Sequence, residues 1–371
     1  MKRVGIITFH CSYNYGSALQ TYALQCFVEN LNYDVEIIDY VLNSDFEHYK
    51  LFRRALYKTN RKAFVADLIF LLPHIKRRNS FKRFVKSRLH LTNGSYSSLD
   101  MPEKLQELNN RFDIFVCGSD QIWNIDCTNG VVPPFFLSFA DDNKLKIAYA
   151  PSLSHVGFRM DVQDEMKKLI EGLDWISIRE ESTLSYVQSL TTKDVKVVLD
   201  PTLILDSQYY YCLIDKIKKE SGKYIFVYML EPNQELIEYC DEMCKKKNIK
   251  MYYITSRGYR GFKTGHNLYG ISPEEFLYYI ANAQYVITNS FHATVFSILF
   301  NKQFCTFETE KSNSRMVDLL EKLNITERLY HSQFDIEKSI DYLSVMDKLD
   351  NLRKDSIEYL TNALKGGNKN E

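Results

Sequence analysis

Apolar residues run along this chain in short stretches, each ending in a polar turn, and helical spacing follows several of them. The first run covers residues 4–9, residues 17–30 then follow a helical pattern, and residues 35–40 form the next run. This β–α–β opening predicts a parallel sheet with crossover helices. Further strands are predicted at 113–117, 146–150, 174–178 and 195–199. Asp200-Pro201-Thr202 then interrupts the pattern, because a proline disfavours continuation of a regular element. A second alternation follows, with strands at 224–230, 250–255, 285–288 and 303–307 and helices at 233–247, 273–281 and 293–300. A last helix is predicted near 347–364, ahead of a polar tail.

Two consecutive β/α arrays in 371 residues predict an α/β protein of two domains whose sheets face each other across a cleft. The expected divisions are 1–205, 206–345 and a closing helix and tail at 346–371. The first includes a basic helical insertion at about 45–108. The apolar fraction of 45% and charged fraction of 25% are those of a globular chain, which argues against disorder or a fibrous repeat. No run approaches the roughly 20 apolar residues of a membrane span, and no signal-peptide pattern opens the chain, so a cytoplasmic protein is expected. Cys240 and Cys244 lie one helical turn apart without a second Cys or His pair, so neither zinc nor a resident cofactor is expected.

The zero net charge conceals an asymmetry. Residues 51–90 hold twelve Lys or Arg against one acid, Asp67, with apolar residues such as Phe81, Phe84, Val85 and Leu89 interleaved at helical spacing. Such a stretch is either a solvated helical face or a contact for an anionic membrane or a polyanion. No nucleic-acid-binding motif accompanies it.

Ligands of open α/β sheets collect at the carboxyl ends of strands, so the residues after each run carry the chemistry. After the first come Asn14-Tyr15-Gly16-Ser17, where a small-residue turn opens a helix and allows close approach of backbone amides. After 113–117 comes Gly118-Ser119-Asp120-Gln121-Ile122-Trp123-Asn124. Here Asp120 is placed to activate a hydroxyl and Trp123 to stack on a sugar; the alternative is an N-cap beside a core tryptophan. Arg179 ends another strand, where it suits phosphate or carboxylate, or else pairs with a neighbouring glutamate. Asn289-Ser290-Phe291-His292 puts a histidine on a strand–helix elbow, near the positive end of the helix dipole. The acid-free loop containing Arg257 and Arg260, and the pair Lys311 and Arg315, are further candidates for an anionic substrate.

Taken in order, these segments, together with Ser177-Ile178-Arg179-Glu180-Glu181-Ser182 and Leu199-Asp200-Pro201-Thr202-Leu203, resemble the polysaccharide pyruvyl transferase family. The similarity runs from about residue 3 to residue 330. It implies a GT-B-like pair of Rossmann-like domains, phosphoenolpyruvate as donor and a sugar whose two hydroxyls are bridged as a pyruvate ketal in capsule or exopolysaccharide synthesis. It also implies that Arg179 and His292 hold the donor. Many members carry Arg-Leu-His where this chain has Ser290-Phe291-His292. Lys311, Arg315, Arg257 or Arg260 is expected to replace the missing arginine.

Ketal formation needs an acid, a hydroxyl-activating base and cations for phosphate and carboxylate. His292 is the expected acid or phosphate ligand, Asp120 the base, and Arg179, Ser290 and the four cations the donor set. Asn14, Tyr15, Gly16, Ser119, Gln121, Trp123 and Asn124 are expected on the acceptor side. The basic segment favours a lipid diphosphate-linked acceptor at the inner membrane face. The rival readings are a nucleotide-sugar glycosyltransferase of the same fold and a non-catalytic carbohydrate-binding or assembly protein.

Overall fold

The computed structural model describes residues 1–42, 71–98, 100, 102–154, 160–217, 222–255, 261–309 and 313–366. The chain forms two compact units, the first from residues 1–49, 85–205 and 349–371, the second from 50–84 and 206–348.

The first unit is built on seven parallel strands: β1 (Arg3–Ile7), β2 (Asp34–Val41), β3 (Leu91–Ser97), β4 (Ile114–Cys117), β5 (Leu145–Ala148), β6 (Trp175–Ile178) and β7 (Val195–Val197). Their spatial order is β3-β2-β1-β4-β5-β6-β7. The order reverses between β1 and β4, which pair in register from Val4 with Ile114 to Ile7 with Cys117. Helix α1 (Tyr15–Asn30) links β1 to β2 and is buried along most of its length. Sheets covered on both faces require apolar side chains in both directions, and all four residues of β4 are buried accordingly.

β3 is a departure from the expected helical insertion at 45–108. Its sequence, Leu-Thr-Asn-Gly-Ser-Tyr-Ser, is polar because it lies at the sheet edge and buries only Thr92 and Tyr96. Helix α2 (Leu71–Arg88) occupies the later part of the predicted basic stretch, whose residues 51–70 lie outside the described residues, and its residues 71–84 group with the second unit.

The second unit holds five parallel strands: β8 (Tyr224–Met229), β9 (Lys250–Thr255), β10 (His266–Asn267), β11 (Tyr285–Thr288) and β12 (Gln303–Thr306). They are ordered β10-β9-β8-β11-β12, so the reversal falls between β8 and β11. α3 (Gln234–Lys247), α4 (Pro273–Asn282) and α5 (Phe291–Leu299) connect them. α4 starts with a full capping box, in which Ser272 and Glu275 each bond the other's backbone amide. α6 (Asn313–Leu323) follows β12. The last helix, α7 (Tyr342–Lys365), contributes its residues from Leu349 onward to the first unit. There Ser356 Oγ accepts from the Leu199 amide at 2.9 Å and Arg353 Nε donates to the Leu203 carbonyl at 2.6 Å.

Among the described residues no helix is long and apolar enough to cross a membrane, and no group of three or more His, Cys, Asp or Glu is arranged to hold a metal ion.

Candidate functional site

At the carboxyl edge of the first sheet, beside the β1–β4 reversal, lies a buried polar network. Its pivot is the turn after β4. Gly118 has φ +124°, and a Cβ there would stand 2.0 Å from the Tyr149 carbonyl oxygen, so this position admits only glycine. The turn delivers Ser119, which is fully buried and bonded on every side. Its amide donates to Gln20 Oε1 at 3.1 Å, its hydroxyl to the Ala150 carbonyl at 2.7 Å, and its carbonyl accepts from Thr8 Oγ1 at 2.9 Å.

Asp120 follows with φ +72° and a nearly buried carboxylate. Ser17 Oγ donates to its Oδ2 at 2.5 Å, and the Gln121 amide to its Oδ1 at 2.8 Å. One donor meets each carboxylate oxygen, which leaves further lone pairs to accept from a substrate hydroxyl.

Arg179, at the end of β6, donates from Nη2 to Ser119 Oγ at 2.7 Å and lies 3.1 Å from Asp200 Oδ2. Asp200, which follows β7, is thus a carboxylate partner of Arg179. Asp200 is itself fixed, because its Oδ1 accepts from both the amide (2.9 Å) and hydroxyl (2.5 Å) of Thr202. Next to Arg179, Glu180 is fully buried and accepts from Ser152 Oγ. The ion pair gives Arg179 a neutralising partner, so the cation ties the ends of β4 and β6 to the turn after β7.

The expected acceptor residues separate into two sets. Asn14 caps α1 by accepting from the Gly16 amide at 2.8 Å, and Asn124 caps the turn at Ile125–Thr128 by accepting from the Asp126 amide at 3.1 Å. Asn14 and Gln121 are half-buried, whereas Tyr15, Gly16, Ser119 and Asn124 are buried. Trp123 corrects the sugar-stacking expectation. It is 1% exposed, stacks on Phe136 at 4.9 Å and 9°, and donates Nε1–H to the Phe135 carbonyl at 3.1 Å. Both its ring and its polar edge are committed to the core.

His10 and Asp39 form a pair whose role strand-end reading missed. His10 Nε2 lies 2.9 Å from Asp39 Oδ1, and Nδ1 faces the Thr8 carbonyl at 3.4 Å. Burial pushes the Asp39 carboxyl up, but the hydrogen bond and charge of His10, with help from Ser95, outweigh it and leave the group below its usual range. The two residues are 29 positions apart, so only the parallel pairing of β1 with β2 reveals the contact.

In the second unit the elbow after β11 stands beside the β8–β11 reversal. Asn289 joins the two strand ends, accepting from the Leu230 amide at 2.7 Å and donating to the Glu231 carbonyl at 2.7 Å. Ser290 is the N-cap of α5, and His292 sits in its first turn, 7% exposed, with its ring edge-on to Phe291 at 5.2 Å. Arg315, on α6 and 5% exposed, places its guanidinium 5.8 Å from the Phe291 ring centroid. The structure therefore brings Ser290, His292 and Arg315 together around Phe291. A helix N-terminus, an imidazole and a guanidinium in one place favour an anion. Arg257, Arg260 and Lys311 lie outside the described residues.

Each sheet has its functional candidates at the point of strand-order reversal, the position at which doubly wound sheets bind ligands. The architecture is a two-domain, Rossmann-like, GT-B-like fold, and solved structures agree. The chain is similar to a Listeria monocytogenes protein assigned as a UDP-N-acetylglucosamine 2-epimerase, with TM-score 0.53 and 11% identity over 97% of this chain and 90% of that one. It is also similar to the UDP-GlcNAc 2-epimerase of Methanocaldococcus jannaschii solved with UDP-GlcNAc and UDP, with TM-score 0.50 and 13% identity over 99% of this chain and 100% of that one. At such identities the likeness is one of fold. The family model for polysaccharide pyruvyl transferase matches residues 14–311, and the chain belongs to that family. No curated protein sequence matches it.

Proposed function

We propose that this family member transfers the pyruvate unit of phosphoenolpyruvate to two hydroxyls of one sugar, forming a cyclic ketal. The observation that carries the reading is the cluster of Ser290, His292 and Arg315 at the start of α5, where two basic side chains and a helix N-terminus match a small, highly anionic donor. Arg315 takes the place of the arginine that many family members carry two residues before the histidine.

In the proposed reaction an acid delivers a proton to the methylene carbon of phosphoenolpyruvate, making C2 electrophilic. A sugar hydroxyl adds to C2 and gives up its proton to a base. The C2–O bond to phosphate breaks, the electron pair leaving with phosphate, and a second hydroxyl of the same sugar closes the ring. Of the two hydroxyl protons, one balances the new methyl group and the other leaves with phosphate. His292 serves as acid or phosphate ligand and Asp120 as hydroxyl base. Arg179 acts as a positioning residue. Its ion pair with Asp200 holds Ser119, and through the same turn Asp120, in place.

The test is acceptor-dependent release of inorganic phosphate from phosphoenolpyruvate. Asp120→Asn is expected to lower kcat by about 10²–10⁴, the usual worth of a general base. Arg315→Ala is expected to act mainly through KM for phosphoenolpyruvate. A correctly folded Asp120→Asn variant with unimpaired turnover removes Asp120 from the scheme.

A further inference from the structure

Helix α2 is seated by one face and leaves the other to solvent. On the seated side Phe81 and Phe84 are each 1% exposed. The Arg77 guanidinium lies 4.8 Å from the Tyr269 ring centroid and 5.6 Å from that of Phe81. Tyr269 Oη and His74 Nδ1 are 2.9 Å apart, and Ser80 Oγ donates to the Gly270 carbonyl at 3.1 Å. At Gly270 an added Cβ would come within 3.0 Å of the Pro73 carbonyl, so the helix backbone rests directly on this loop.

The opposite face has a regular composition. Leu72, Lys76, Asn79, Arg83 and Lys86 are all exposed, at spacings of four, three, four and three residues, which place them in one stripe of an α-helix. Lys82 is exposed beside the stripe, and no acidic residue occurs in α2. Among the described residues none of Lys76, Lys82, Arg83 and Lys86 is paired with a carboxylate. Leu72, at the amino end of the stripe, is 76% exposed, one of four large hydrophobic side chains so placed among the described residues. The helix is about 27 Å long at 1.5 Å per residue, so its cations span several lipid headgroups when it lies flat.

We infer that this face of α2 docks on a bilayer surface rich in anionic phospholipid. Lysine and arginine on an otherwise acid-free face complement a negatively charged leaflet, and an exposed leucine in the same stripe has an apolar layer to enter. The stripe has no exposed aromatic ring on which bases of a single strand would stack, which disfavours nucleic acid as the occupant. Such docking brings the protein to a membrane-anchored acceptor. The inference rests on the helix alone and stands or falls separately from pyruvyl transfer.

The test is sedimentation of the full chain with vesicles of phosphatidylcholine, with and without phosphatidylglycerol. Binding is expected only to the anionic vesicles and is expected to weaken with added salt. Each cation near such a surface contributes about a fivefold change in partitioning, so Lys76→Ala, Arg83→Ala and Lys86→Ala combined should lower it about a hundredfold. Lys167→Ala with Lys168→Ala, two exposed cations elsewhere, should leave binding unchanged. Leu72→Ser should weaken vesicle binding while retention on heparin stays as in the wild type. The inference is overturned if anionic vesicles do not bind, if neutral ones bind equally, or if the triple variant or Leu72→Ser partitions like wild type. It is also overturned if the Lys167/Lys168 pair matters as much, or if RNA binds while vesicles do not.

Discussion

Replacing Asp200 by asparagine tests how the first polar network is held. The Asp200 side chain is fully buried, with Oδ2 paired to Arg179 Nη2 at 3.1 Å and Oδ1 accepting from both donors of Thr202. Asparagine keeps one acceptor and turns an NH2 group towards donors, so either the Thr202 cap or the Arg179 contact is lost. It also leaves a guanidinium, whose side chain is 3% exposed, without its counter-charge. Breaking a buried ion pair at one partner costs about 3–5 kcal/mol. Combining Asp200→Asn with Arg179→Met removes the orphaned charge, so the double variant should be more stable than the sum of the single losses predicts, with coupling of about 2 kcal/mol. Both tryptophans of the chain, Trp123 and Trp175, belong to the first unit, and their fluorescence during urea unfolding reports on that unit specifically. A loss below about 1 kcal/mol for Asp200→Asn, or strict additivity in the cycle, would contradict a buried ion pair as the organiser of this edge.

Gly118→Ala sets a Cβ against the Tyr149 carbonyl in a backbone conformation that only glycine tolerates, and should cost more than about 3 kcal/mol or prevent folding; near-wild-type urea unfolding would refute this. Trp123→Phe removes the bond to the Phe135 carbonyl and should lower stability by about 1–2 kcal/mol while KM for the sugar stays unchanged. A raised acceptor KM at unchanged stability would restore a stacking role. The Asp39 carboxyl sits below its usual range when folded, so its contribution is present above its unfolded value of about 3.9 and lost as pH falls through the lower folded value. Asp39→Asn should therefore flatten the acid limb of the stability profile, and parallel acid limbs for variant and wild type would refute the pair.

The strands were legible where burial on both faces demanded apolar runs, as in β1, β4, β8 and β11, and their ends located Gly118–Asp120 and Ser290–His292. β3 was not legible, because an edge strand needs few apolar residues and its Asn93 and Gly94 suggest a turn. Spacing placed Trp123 on a functional loop but carried no information on which way its ring turns, and the ring lies against Phe136. Arg179 was found as a strand-end cation, yet its partner comes from the turn after β7, a contact set by sheet order and not by sequence proximity. Arg315 was one of four cations offered for the missing arginine, and of these it is the one within the described residues, where it meets the Phe291 ring that His292 also touches.

Pyruvyl transfer is put to the test by following inorganic phosphate released from phosphoenolpyruvate in the presence of galactosyl and mannosyl acceptors. Release that depends on an acceptor and is lost in a folded His292→Ala variant is the expected result. Folded protein that releases no phosphate with any acceptor, but frees nucleoside diphosphate from a nucleotide sugar, would contradict it.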